Sequence, residues 1–143
     1  MQIRKVGVVG CGLMGSGIAQ VAATAGFPTV VREISQGLLD KGLASIERSL
    51  GKLVEKGELS AERKSHTLEL LKPTLTLADF ADCDLVIEAI IENLDRKKEL
   101  LSELDRIVKP EAVFASNTSS LCITEMMTAT RRAARFLGLH FFN

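Results

Sequence analysis

The sequence has 143 residues, of which 46% are apolar, 25% are charged and 4% are aromatic. This composition is typical of one globular domain and argues against a disordered chain or a repeat array. The 18 Lys and Arg residues are balanced by 18 Asp and Glu residues. Because the chain has no net positive charge with which to attract phosphate backbones or anionic lipids, we expect neither a nucleic acid nor a membrane as partner.

The uncharged stretch from Val6 to Arg32 is interrupted by several glycines and by Pro28. It therefore predicts a strand, a turn and a helix, not a bilayer span, and no small-residue cleavage pattern marks it as a secretory signal. The widely spaced Cys11, Cys83 and Cys122 form no C-x-x-C pair, which indicates neither a disulfide framework nor a zinc site, and no other metal site is expected. We expect a reducing compartment, the cytoplasm or an equivalent matrix.

The first elements predicted are a buried strand at residues 5–9, a helix from Met14 to about Gly26, and a second strand at residues 28–31. Residues 36–72 predict two amphipathic helices in a hairpin, with Ser60 capping the second. The remaining elements are a short strand at Leu75 and Leu77, strands at residues 84–89, 112–115 and 136–142, and helices at residues 93–108 and 121–127.

A glycine motif connects the first strand to the first helix. Residues 10–15 read G-x-G-x-x-G. In this context Gly10 can form the tight turn, Gly12 can let the backbone approach a pyrophosphate, and Gly15 can allow close packing of helix on strand. The amide groups at the start of the helix would face the phosphates. A glycine-rich turn without a ligand, and the similar loop of methyltransferases or flavoproteins, are the alternatives.

Apolar strands that alternate with helices predict a parallel sheet covered on both sides. Together with the glycine motif, this pattern predicts an α/β fold: a Rossmann-type, doubly wound, mostly parallel sheet with an inserted helical hairpin.

Glu33 lies at the expected carboxyl end of the second strand, 18 residues after Gly15. A carboxylate at this position can accept hydrogen bonds from the adenosine ribose, which favours NAD because the 2'-phosphate of NADP would meet a like charge. The neighbouring Arg32 leaves NADP open. The alternative interpretation of Glu33 is a solvated acid at a strand end.

Two polar features fall near the carboxyl edge of the predicted sheet. Residues 117–120 (NTSS) follow the fifth strand and can orient a substrate, or else Ser119 or Ser120 caps the next helix. His140 lies between apolar neighbours, where a histidine is either catalytic or a core residue. His66, in the charged hairpin, is expected at the surface.

Four segments taken together resemble the NAD-binding domain of the 3-hydroxyacyl-CoA dehydrogenases. They are residues 9–20 (VGCGLMGSGIAQ), 84–93 (DLVIEAIIEN), 116–121 (SNTSSL) and 138–143 (GLHFFN). The resemblance covers the whole chain. Since it begins at Met1 with no upstream hydratase region, we expect a monofunctional member that oxidises 3-hydroxybutyryl-CoA, in fatty acid (beta-oxidation) and butanoate metabolism.

The resemblance implies a role for each matching residue. His140 would be the catalytic base for the 3-hydroxyl proton, and Ser119 would hydrogen-bond the substrate oxygen and help to place the nicotinamide. Glu33 would bind the adenosine ribose. The implied cofactor-binding residues are Gly10, Gly12, Leu13, Met14, Gly15, Glu33, Ala89, Glu92, Lys97, Asn117, Ser119 and Asn143.

The family's acyl-CoA contacts map onto Ser49, Lys56 and Lys97, in addition to Ser119. Ser49 and Lys56 are two helical turns apart and share a face with Lys52, where ammonium groups could attract the phosphates of CoA. A solvated helix surface explains the same pattern.

The chain departs from the family in stopping at Asn143. In the family an all-helical domain follows, with a glutamate that orients the histidine and with the interface of a homodimer. Residues 1–143 are therefore expected to form the NAD-binding domain, with little or no turnover alone. Two rival functions are a non-catalytic dinucleotide-binding module and a dehydrogenase of a free hydroxy acid.

Overall fold

The structure, a computed structural model, describes residues 2–143. The strands are β1 (Val6–Val9), β2 (Thr29–Arg32), β3 (Leu71–Thr74), β4 (Leu85–Glu88), β5 (Val113–Ser116) and β6 (Phe136–Gly138). The α-helices are α1 (Leu13–Thr24), α2 (Gln36–Glu55), α3 (Ala61–Glu69), α4 (Leu94–Ile107) and α5 (Ile123–Met127), with 3-10 turns at Leu77–Phe80 and Ala133–Arg135.

The six strands form one sheet in the order β3-β2-β1-β4-β5-β6, and every neighbouring pair is parallel. This is the doubly wound order of the Rossmann fold, so the predicted fold class is confirmed. The chain leaves β1 and β4 in opposite directions across the sheet, which opens a crevice at their carboxyl ends. Among residues 2–143 there is no helix with the length and apolar character of a bilayer span.

Helices cover both faces of the sheet, and each face has its own apolar core. On one face, Ile18 of α1 and Leu39, Ile46 and Leu50 of α2 pack in a cluster that includes Val8. The opposite core is built around α4. Its largest fully buried side chains are Phe80, Leu101, Leu104, Phe114 and Met126. Burial on both sides explains why the central strands are almost entirely apolar.

The inserted hairpin is present as predicted. The Ser35 hydroxyl accepts a hydrogen bond from Leu38 at the start of α2, and the Ser60 hydroxyl accepts one from Arg63 at the start of α3. The short strand predicted at Leu75 and Leu77 is wrong, because the strand is β3 and Leu77 opens a 3-10 turn instead.

The strand β3 was not predicted, because its sequence, LKPT, is only partly apolar. It lies at the edge of the sheet beside β2, with Thr29 opposite Leu71. An edge strand tolerates Pro73 and an exposed Lys72 because it needs neither a second hydrogen-bonded neighbour nor burial on both faces.

The last predicted strand and the last predicted helix are both too long. β6 ends at Gly138: the Leu139 amide still donates to the Ser116 carbonyl oxygen at the end of β5, at 2.9 Å, but the Phe141 amide donates to a side chain, that of Asn117. α5 begins at Ile123 and not at Leu121, and in the turn before it the Leu121 amide donates to the Thr118 hydroxyl at 3.0 Å.

Candidate functional site

The glycine loop has a separate reason for each of its three motif glycines. Gly10 has a φ of +99°, and a Cβ there would lie 2.5 Å from the Ala89 carbonyl oxygen. A Cβ at Gly15 would overlap the Gly10 carbonyl oxygen, whereas one at Gly12 would meet no atom within 4 Å. Gly10 and Gly15 are thus required by the fold, while the missing side chain of Gly12 leaves open space for another molecule.

The start of α1 has unpaired hydrogen-bond donors. Its N-cap is Gly12, which has no side chain to accept a bond, and the first amide paired in this turn is that of Ser16, with Gly12. No acceptor among residues 2–143 pairs with the amides of Leu13 and Met14, and the first turn holds no acidic residue. Free amides at a helix N-terminus fit the diphosphate of a dinucleotide.

A cavity of about 390 Å³ opens at the carboxyl edge of the sheet beside these amides. It brings together residues that are far apart in the chain and that the sequence analysis predicts to form one site. Its lining consists of Gly12, Leu13, Met14, Ala89, Ile90, Ile91, Glu92, Lys97, Asn117, Ser119, His140 and Phe141.

Glu33 lies in a second, smaller pocket of about 240 Å³ that shares Gly12 and Leu13 with the first. One carboxylate oxygen of Glu33 accepts the Cys11 amide at 2.8 Å and the other accepts the Ile34 amide at 2.9 Å. Glu33 is therefore fastened to the glycine loop and is not a freely solvated acid. The two pockets meet at Gly12 and Leu13, at the start of α1, and we refer to them together as the crevice.

His140 is exposed and lines the first cavity, so its interpretation as a core residue is wrong. Its ring meets that of Phe142 edge to face, with centroids 4.8 Å apart. The next residue, Phe141, donates its amide to the Asn117 side-chain oxygen at 2.8 Å. This bond ties the segment that carries His140 to the loop after β5. Both the segment and the loop line the cavity.

Ser119 is also exposed on the cavity wall, and neither Ser119 nor Ser120 accepts the helix-capping bond that the alternative interpretation required. The N-cap of α5 is Cys122, which makes no side-chain capping bond, and the Thr118 hydroxyl accepts the Leu121 amide in the turn before the helix. Ser119 is thus a lining residue of the cavity with no capping role. His66 is exposed on α3, as expected.

Behind the cavity wall lies an ion-pair network that sequence reasoning missed. Glu88, fully buried, pairs with Lys97 at 2.6 Å and accepts the Ser116 hydroxyl at 2.5 Å. Lys97 is only 1% exposed and also pairs with Glu92 at 3.2 Å. Lys97 is therefore not an ordinary surface charge. The signal in the sequence was an acid ending a strand that must be buried on both faces, since such an acid needs a cationic partner.

Glu92 is the outer acid of this network and forms part of the cavity wall. It accepts hydrogen bonds from the Thr118 and Ser120 hydroxyls and from Lys97. Partial burial raises its pKa, but the hydrogen bonds and the Lys97 charge outweigh burial, so the pKa of Glu92 lies below its ordinary value. Glu92 is an anion at neutral pH.

Several predicted residues lie outside the cavity. Ser49 and Lys52 belong to α2 and Lys56 ends that helix, and none of the three reaches the cavity lining. Lys52 instead borders a charged groove with Glu47, Arg48, Glu55 and Lys64. Asn143, at the end of the chain, is exposed and does not line the cavity either.

Comparison with known proteins gives the same family as the four sequence segments. Residues 5–143 match the family model described as "3-hydroxyacyl-CoA dehydrogenase, NAD binding domain". A probable 3-hydroxybutyryl-CoA dehydrogenase of Deinococcus radiodurans is 53% identical over 139 residues, covering 97% of this chain and 50% of that protein. The fatty acid oxidation complex subunit alpha of Psychrobacter arcticus is 40% identical over 142 residues, covering 99% of this chain and 20% of that protein.

Among solved structures, (S)-3-hydroxybutyryl-CoA dehydrogenase from Ralstonia eutropha superposes with a TM-score of 0.96 at 43% identity, covering 99% of this chain and 50% of that one. The chain thus spans half the length or less of these relatives. Its dinucleotide-binding fold, its open helix N-terminus and the matched family model agree on NAD as the cofactor. The chain belongs to the 3-hydroxyacyl-CoA dehydrogenase family and matches its NAD-binding domain.

Proposed function

We propose that these residues are the cofactor-binding part of an enzyme that interconverts (S)-3-hydroxyacyl-CoA and 3-oxoacyl-CoA with NAD, with 3-hydroxybutyryl-CoA as the substrate. The observation that carries the proposal is that one cavity contains both the start of α1 and the His140 and Ser119 side chains. A diphosphate at α1 and a reacting hydroxyl at His140 would then be held within one crevice.

The two pockets support an extended dinucleotide across the carboxyl edge. Glu33 would accept the ribose hydroxyls of the adenosine half in the smaller pocket, and the amides of Leu13 and Met14 would face the diphosphate. The nicotinamide half would occupy the larger cavity, beside Ala89, Glu92 and Asn117. When bound, NAD supplies the acceptor for the hydride from C3 of the substrate.

His140 and Ser119 would act on the oxygen at that carbon. An imidazole nitrogen of His140 takes the 3-hydroxyl proton during oxidation and returns it during reduction. The Ser119 hydroxyl hydrogen-bonds the same oxygen and orients it toward His140. The bond from Phe141 to Asn117 supports this arrangement, because it holds the His140 segment against the loop that carries Ser119.

Apart from Ser119, the residues predicted to contact acyl-CoA divide into two groups, Lys97 of α4 and three residues of the hairpin. The ammonium of Lys97 already contacts Glu88, Glu92 and the Ile90 carbonyl oxygen, which favours a role in holding Glu92 over direct contact with acyl-CoA. Ser49, Lys52 and Lys56 stay a proposed contact for the CoA phosphates. Three further expectations likewise stay predictions about the full-length protein: a glutamate that orients His140, a homodimer and a cytoplasmic location.

Reduction assays on the full-length protein test this function. With NADH, acetoacetyl-CoA should be turned over while acetoacetate should not. Comparable reduction of acetoacetate would favour a dehydrogenase of free hydroxy acids. NADH binding without turnover of either compound would favour a non-catalytic module. Residues 1–143 alone should bind NADH with little or no turnover, because the orienting glutamate is expected elsewhere.

A further inference from the structure

Three ionised side chains form a connected group that we term the Glu88 cluster: Glu88, Lys97 and Glu92. Lys97 is the shared partner, 2.6 Å from one Glu88 oxygen and 3.2 Å from one Glu92 oxygen. Glu88 comes from the end of β4, Glu92 from the loop that follows, and Lys97 from the first turn of α4. Glu88 and Lys97 are therefore built into the core, whereas Glu92 lies at its surface.

Both acids of the cluster are surrounded by hydrogen-bond donors. Glu88 accepts bonds from the Ile90 amide at 2.7 Å, from Lys97 and from the Ser116 hydroxyl at 2.5 Å. Glu92 accepts bonds from Thr118, Ser120 and Lys97. A carboxyl group surrounded only by donors is stabilised as the anion, which is an acceptor at both oxygens.

The charges do not cancel, since two carboxylates share one ammonium and leave one net negative charge. Glu92 is the member through which this charge reaches the cavity, with a side chain 40% exposed against 0% for Glu88 and 1% for Lys97. Apart from these residues, the only titratable side chain in the described lining is His140. The nicotinamide half of the crevice is thus electronegative, in a partly enclosed setting where screening is weaker than in water.

We infer that the Glu88 cluster makes this site discriminate between the two oxidation states of nicotinamide, favouring the cationic NAD⁺ ring over the neutral NADH ring. The inference rests on the cofactor placement in the proposed function. The oxidised ring carries a positive charge that attracts the cluster, and hydride transfer removes this charge. By linkage, preferential binding of NAD⁺ lowers the reduction potential of the bound couple and makes bound NADH a stronger hydride donor.

The test measures the dissociation constants of NADH, by fluorescence, and of NAD⁺, by competition, in the full-length protein. Glu92→Gln removes the exposed charge while nearly preserving the shape. It should reduce the affinity for NAD⁺ relative to that for NADH by about tenfold, the size expected for one nearby charge at intermediate screening. Circular dichroism checks that the variant is folded.

Two controls separate charge from other effects. Glu111→Gln makes the same change in net charge at the opposite, amino end of β5 and should leave the affinity ratio unchanged. Thr118→Val removes a hydrogen bond to Glu92 but keeps its charge, so the ratio should change by less than in Glu92→Gln.

An equal loss of both affinities in Glu92→Gln would overturn the inference while leaving the cofactor site intact, since Glu92 would then act only through shape or hydrogen bonding. An unchanged ratio would overturn it as well. Failure of the unmodified protein to bind either form of the cofactor would instead overturn the proposed function.

Discussion

The side-chain oxygen of Asn117 accepts the Phe141 amide at 2.8 Å, so the loop after β5 holds the backbone immediately after His140. Replacing Asn117 with Ala should release this backbone and misplace the imidazole. We expect kcat of the full-length protein to fall about 10- to 100-fold, because small displacements of a reacting group have effects of this size.

The Asn117→Asp variant is the matched control, since it keeps an oxygen acceptor for the Phe141 amide. It should retain more of kcat than Asn117→Ala does. Equal losses in the two variants would show that the amide group of Asn117 acts in another way, for instance by direct contact with the cofactor.

A pair of glycine substitutions distinguishes an effect on the space for the cofactor from an effect on folding. Neither Gly12 nor Gly17 has an atom within 4 Å of an added Cβ, so both Ala variants should fold. Gly12→Ala should weaken NADH binding at least about tenfold, by placing a methyl group where the diphosphate approaches. Gly17→Ala lies within α1 and should raise the unfolding free energy by about 0.5–1 kcal/mol with NADH affinity retained. Equal NADH affinities would place the diphosphate elsewhere.

Removing the Glu33 carboxylate should weaken NADH binding and reduce the preference for NADH over NADPH. Glu33→Gln is the more informative companion to Glu33→Ala, because an amide oxygen can still accept the Cys11 amide, now bound at 2.8 Å. If charge repulsion sets the preference, both variants should relax it; if only the loop conformation matters, Glu33→Gln should resemble the unmodified protein. Competitive titration with the two reduced cofactors measures this.

Arg132 is predicted to be a major stabilising residue. Its guanidinium is buried, pairs with Asp105 at 2.6 Å, and donates to four backbone carbonyl groups around the end of α4. Arg132→Met should lower the unfolding free energy by about 3–5 kcal/mol, because it removes the buried partner of Asp105 and the donor to four carbonyl groups. Urea denaturation measures the loss.

The neighbouring Arg131 supplies the control for that experiment. Its side chain is 84% exposed and lies 3.4 Å from the same Asp105 carboxylate. Arg131→Met should therefore cost less than about 1 kcal/mol. Similar losses in the two variants would contradict the assignment of the stabilisation to the buried guanidinium.

Features set by local chemistry were the predictable part of the fold. The turn at Gly10, the cap at Ser60 and the apolar strand ending at Glu88 each follow from a few consecutive residues. The strand β3 did not, because LKPT becomes a strand only through its pairing with β2 at the sheet edge.

The candidate site was likewise only partly predictable from the sequence. The positions of Gly12, Ser119 and His140 around one cavity agree with the sequence segments that pointed to them. The burial of Lys97 was not predictable from helix periodicity, because a lysine in a first helical turn is ordinarily solvated. Its burial depends on Glu88, whose charge is enclosed only once β4 lies between β1 and β5.

The most direct measurement of the central claim compares His140→Gln with the unmodified full-length protein, using acetoacetyl-CoA and NADH. A residue that handles the substrate proton should affect turnover and not cofactor binding. We predict that kcat falls by at least about 100-fold while the NADH dissociation constant stays within about twofold. Retained turnover in His140→Gln would contradict the account.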